Sequence, residues 1–84
     1  MSKLSPTPDE RAIYTHIGSR IQEERKSLGF SQMDLAQEVG LARVSISNIE
    51  VGRYCTSISM LYKIARALGI SVMALLPGEE FHLD

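Results

Sequence analysis

The chain has 84 residues, nine of them Lys or Arg and ten Asp or Glu, for a formal net charge of -1 at pH 7. This length suits one domain with a small core, so residues 1–84 are read as a single domain whose modest burial would gain from self-association. The balance of charge excludes a global positive field of the kind that holds polyanions unselectively, no uncharged stretch is long enough to span a bilayer, and the single cysteine, Cys55, excludes an intramolecular disulfide.

Thr7-Pro8-Asp9-Glu10 combines a capping residue, a proline at the first helical position and a glutamate at the third, which predicts a helix start. Ile13, Ile17, Ile21 and Leu28 keep helical spacing and Gly29 follows, so the first helix is expected over 8–28. Ser31 opens a second helix, 32–39, with Met33, Leu35, Ala36 and Val39 as apolar positions and Gly40 as its stop. A third, 42–51, follows after only a tight turn and ends at Gly52. Ile58, Leu61, Ile64, Ala65 and Leu68 place a fourth over 58–68, between Thr56-Ser57 and Gly69. Ser71 caps an expected fifth, 72–76, stopped by Pro77-Gly78. Residues 79–84 read as an acidic tail carrying Glu79, Glu80 and Asp84, and without it the body is slightly basic. No segment alternates like a half-buried strand, so the fold class is all-α with five helices, and the second and third form a helix-turn-helix.

Winding the third helix at 3.6 residues per turn puts Ala42, Ile46 and Ile49 on one side and Arg43, Val44, Ser47 and Asn48 on the other. The second set matches the chemistry of base edges. Arg43 can pair bidentately with guanine, Asn48 with adenine, Val44 can touch a thymine methyl, and Ser47 is small enough to permit close approach. An isolated amphipathic helix would carry polar residues on its outer face in any case, but an exposed valine between Arg43 and Ser47 suits a groove better than open solvent. Around this face, Ser31 and Gln32 at the positive end of the second helix are candidate phosphate contacts, as are Arg53 and Tyr54, with Thr56 and Ser57 as weaker donors.

The run from Phe30 to Arg53, FSQMDLAQEVGLARVSISNIEVGR, with LYKIARALGIS at 61–71, resembles the lambda-repressor-like, Cro-type helix-turn-helix family of transcriptional regulators, and the likeness extends from about Ile17 to Leu76. The resemblance implies that Gln32 supports a backbone contact and that Arg43, Val44, Ser47 and Asn48 are recognition positions. It also implies a structural ion pair between an arginine late in the first helix and a glutamate ending the recognition helix, here Arg25 and Glu50. Arg25 lies on the stripe of Ile21 and Leu28, where a charge needs a partner. Two positions depart from the family pattern: Ala42 stands where many members have a capping serine or threonine, and Ser57 stands near where many have a proline.

The fifth helix is too short to bury Val72, Met73, Ala74, Leu75 and Leu76 together, and the resemblance implies dimerisation through this end, so Met73 and Leu76 are assigned to a homodimer interface. Cys55 is expected to be an idle thiol, and His16 and His82 have no ligand set near them, so no metal or cofactor is expected. Lys63 and Arg66 read as a solvated face of the fourth helix. The expected function is a cytoplasmic regulator that binds double-stranded DNA as a dimer on a palindromic operator, of the phage-repressor or restriction-modification-controller type, with no catalytic chemistry. The alternative is an antitoxin-like module that occupies a protein partner through the start of the first helix and the tail, with DNA binding secondary.

Overall fold

The computed structural model describes residues 7–78; the acidic tail at 79–84 and His82 lie outside them. Four α-helices follow in order, α1 (Pro8–Ser27), α2 (Gln32–Val39), α3 (Arg43–Glu50) and α4 (Ile58–Leu68), and the described residues contain no strand.

The helix starts are set locally. Thr7 and Glu10 form a reciprocal capping box: the Glu10 backbone N–H donates to Thr7 Oγ1 at 3.2 Å, and the Thr7 N–H donates to Glu10 Oε1 at 2.9 Å. Ser31 and Asp34 repeat this device on α2, and Ser57 Oγ accepts from the Met60 N–H on α4. Gly40 ends α2 in the left-handed conformation at φ 75°, which reverses the chain within three residues before α3 begins.

The helices close on a core in which Ile21, Leu35, Ile46, Ile64 and Leu75 are fully buried, one or more from each helix and one from the C-terminal segment. α1 packs against α3 and α4, and α2 packs against the same two, so α3 is gripped from both sides. Leu28 is the C-cap of α1, with about half its surface exposed, so the apolar stripe of that helix stops at Arg25 and α1 ends at Ser27.

The expected fifth helix is a single 3-10 turn, Val72–Ala74. Ser71 Oγ accepts from the Met73 N–H, and bonds of i→i+3 type run from Ala74 N to Ser71 O and from Leu75 N to Val72 O, both at 3.0 Å. Only five residues separate Ser71 from Pro77, too few for an α-helical ladder, and a proline disfavours helical geometry in the residue before it. The tighter winding drives Leu75 fully into the core and leaves Met73 71% exposed. Arg20 Nε donates to the Ala74 carbonyl at 3.1 Å and ties this turn back to α1.

Candidate nucleic-acid interface

α3 turns Ile46, Ile49 and Glu50 inward. Arg43 and Val44 stand outside, Val44 with 57% of its surface exposed, and Ser47 and Asn48 flank them half-buried. The four candidate base-reading residues therefore lie on the side of α3 turned away from the core. Ala42 occupies the N-cap in extended geometry but makes no side-chain cap, and the first turn of α3 contains no acid. Its first backbone N–H groups thus keep an unneutralised positive end beside Arg43.

The base of this helix is fixed by a buried ion pair. Arg25 Nε donates to Glu50 Oε2 at 2.6 Å and a terminal guanidinium nitrogen donates to Glu50 Oε1 at 3.0 Å, while the other terminal nitrogen donates to the Phe30 carbonyl at 2.7 Å. The Arg25 side chain is 7% exposed and that of Glu50 0%. The bonds to Glu50 outweigh the cost of burial and push the Arg25 pKa up from its ordinary value, so the guanidinium stays charged.

The pair extends outward through Gln32, whose contacts within the protein no sequence pattern marks. Gln32 Nε2 donates to Glu50 Oε1 at 3.1 Å, and Gln32 Oε1 accepts from Arg43 at 3.2 Å. The carboxylate can only accept, so it fixes which end of the amide faces inward and leaves the oxygen for Arg43. A continuous chain of hydrogen bonds thus runs from Phe30 through Arg25, Glu50 and Gln32 to Arg43 on the outer face. One amide hydrogen of Gln32 and most of the Arg43 fork stay available for a ligand. No sequence signal carries this link, because the burial of the Glu50 carboxylate that calls for a further donor follows from how the helices pack.

The N-terminus of α2 is less open to anions than its sequence implied. The Asp34 carboxylate accepts the Ser31 backbone N–H at 2.8 Å, and this bond holds the Asp34 pKa below its ordinary value. Ser31 Oγ accepts from the Asp34 N–H at 3.0 Å, and the Ser31 side chain is a second, smaller cause of the lowered Asp34 pKa after its backbone N–H. Beyond α3, Gly52 at φ 77° turns the chain, and Arg53 and Tyr54 emerge exposed. Cys55 is half-buried beside the core, and burial pushes its thiol pKa up, away from reactivity at neutral pH.

A family model described as helix-turn-helix matches residues 21–75. The chain belongs to the lambda-repressor-like helix-turn-helix family. The helix-turn-helix is α2, the turn Gly40–Ala42 and α3. Among its relatives, the immunity repressor protein of Bacillus phage phi105 is 42% identical over 64 residues, which are 76% of this chain and 44% of the repressor. The crystal structure of the restriction-modification controller protein C.AhdI from Aeromonas hydrophila superimposes with a TM-score of 0.72 at 33% identity, covering 75% of this chain and 96% of that one. The structure of SinR, a master regulator for biofilm formation solved in complex with DNA, superimposes with a TM-score of 0.65 at 38% identity, covering 70% and 95%. SinR of Bacillus subtilis is an HTH-type transcriptional regulator. This chain spans less than half the length of the phage repressor but nearly all of the two solved chains.

Among the described residues, no group of three or more His, Cys, Asp or Glu could hold a metal ion, and no helix is long and apolar enough to cross a membrane.

Proposed function

We propose that this chain is a DNA-binding transcriptional regulator, not an enzyme, that acts in the cytoplasm as a homodimer on a palindromic operator, in the manner of phage repressors and restriction-modification controllers. The observation that carries this reading is the outward face of α3, where Arg43, Val44, Ser47 and Asn48 are held in place by a buried ion pair with no other evident task. In the major groove Arg43 pairs with guanine, Asn48 with adenine, and Val44 meets a thymine methyl. The Ser31 hydroxyl, the remaining Gln32 amide hydrogen, Arg53 and Tyr54 supply sequence-independent phosphate contacts. The net charge of -1 makes binding depend on these local contacts and on pairing.

Dimerisation is supported by exposed apolar side chains on α4 and the C-terminal turn. Ile58, Tyr62 and Met73 are 70%, 60% and 71% exposed, and Tyr62 and Met73 line one shallow depression with Ile70 and Val72. A surface of this kind on so small a domain fits a second copy, with Met73 exposed on it, whereas Leu76 is half-buried against the core and does not line the depression. Two-fold pairing places two recognition helices about 34 Å apart, one helical turn of DNA.

Selection of bound duplexes from a random-sequence pool, with sedimentation of the free protein, tests this reading. The expected result is a dimer and an enriched motif with two-fold symmetry. A chain that stays monomeric at micromolar concentration and enriches no motif contradicts it, and a second polypeptide that co-purifies and abolishes enrichment favours the protein-partner alternative.

A further inference from the structure

Gly18 sits in the middle of α1, buried, where glycine is a poorer helix former than alanine. Its position is explained by what faces it. A Cβ at residue 18 would stand 2.5 Å from the Glu50 carbonyl oxygen and 2.8 Å from its carbon, and closer still to the Ile49 carbonyl oxygen. These are backbone atoms at the end of the recognition helix, which cannot swing aside as a side chain can. One turn earlier on the same face of α1, Thr15 makes the reciprocal contact: a Cβ at Gly52 would stand 2.6 Å from Thr15 Oγ1 and 2.7 Å from Thr15 Cα. Two turns later on that face, Arg25 holds the Glu50 side chain. Thr15, Gly18 and Arg25 therefore grip the end of α3 at Gly52, Ile49–Glu50 and Glu50.

We infer that Gly18 is a positioning residue for base reading, setting how close the C-terminal half of α3 lies to α1 and so the alignment of Ser47 and Asn48 with the bases. The inference rests on the proposed reading of DNA by α3. Its residues differ in their distance from the grip. Ser47 and Asn48 directly precede Ile49 and Glu50, while Arg43 and Val44 lie at the other end, with Arg43 linked to the Glu50 carboxylate only through the Gln32 side chain on α2. A methyl group at residue 18 moves the near end away from α1 and leaves the far end almost in place. Non-selective binding, which depends on charge, is little affected.

The test compares Gly18→Ala with the unmodified chain and with Ser19→Ala, an exposed neighbour on α1 that controls for the added helix propensity. Each is titrated on a duplex selected by the unmodified chain, on that duplex with single base changes, and on random duplex. The expected result for Gly18→Ala is a loss of about tenfold on the selected duplex with random binding unchanged within about twofold. The preference relaxes at the base positions that Asn48→Ala also relaxes, and not at those of Arg43. Thr15→Ala, which trims an exposed side chain without threatening the fold, gives a smaller loss of about twofold at the same positions. An unchanged preference in Gly18→Ala, or a loss spread evenly over all base positions, overturns the inference. If Gly18→Ala does not fold, an unchanged preference in Thr15→Ala overturns it instead. If the unmodified chain selects no duplex, DNA reading itself fails. The grip is then judged by the amide resonances of Ile49–Gly52, which shift in Gly18→Ala and not in Ser19→Ala if it is real.

Discussion

Arg25 and Glu50, 25 residues apart in sequence, are joined by two hydrogen bonds that leave the carboxylate without exposed surface. The pair links the end of α1 to the end of the recognition helix. Removing one partner strands the other charge in the interior, whereas an apolar pair of similar volume avoids that penalty. Glu50→Ala is expected to cost about 3 to 5 kcal/mol in urea unfolding, and Arg25→Ala a similar amount. The double variant should cost much less than their sum, and additive losses would show that the two side chains do not act together. Gln32→Ala, which leaves Glu50 its two arginine bonds, should cost only about 1 to 2 kcal/mol.

Ala42 holds N-cap geometry at φ -76° and ψ 151° but offers no side-chain oxygen. Ala42→Ser supplies the missing acceptor without moving the backbone. It should stabilise the chain by about 1 kcal/mol, seen as a rise of about 4–8 °C in the melting temperature of a domain this small. An unchanged melting temperature would mean that the first turn of α3 is already satisfied in another way.

The helix boundaries were legible in sequence because capping is local: Thr7 with Glu10, Ser31 with Asp34, and the glycines at 40 and 69 act within one turn of where they stand. The expected fifth helix differs because apolar content does not set helical length, and the short span before Pro77 winds as a 3-10 turn. The ion pair was reached through the family resemblance, helped by the place of Arg25 on an apolar stripe. The bond from Gln32 to Glu50 spans 18 positions and depends on how α2 and α3 cross, which no local pattern encodes. Gly18 and Tyr62 carry no sequence signal for a related reason. A buried glycine or an exposed tyrosine gains meaning only from what lies opposite.

Asp34 gives a pH dependence with a definite sign. Its folded pKa is depressed by the bond from the Ser31 N–H, so its contribution to stability is complete above the ordinary aspartate value and is lost as pH falls through the folded value. Unfolding free energies of the wild type and of Asp34→Asn should therefore converge as pH falls below about 4, the ordinary aspartate value. A difference that stays constant below that value would assign the acid limb to other groups.

The central claim is that α3 reads bases with its outer face, and a single set of titrations tests it most directly. Wild type, Arg43→Ala and Asn48→Ala are measured at one salt concentration on a duplex selected by the wild type and on random duplex. Each substitution should cost about 1 to 3 kcal/mol on the selected duplex and far less on random DNA, with relaxed preference at one base position per half-site. Equal losses on both duplexes would contradict the claim and reassign Arg43 and Asn48 to the phosphate backbone.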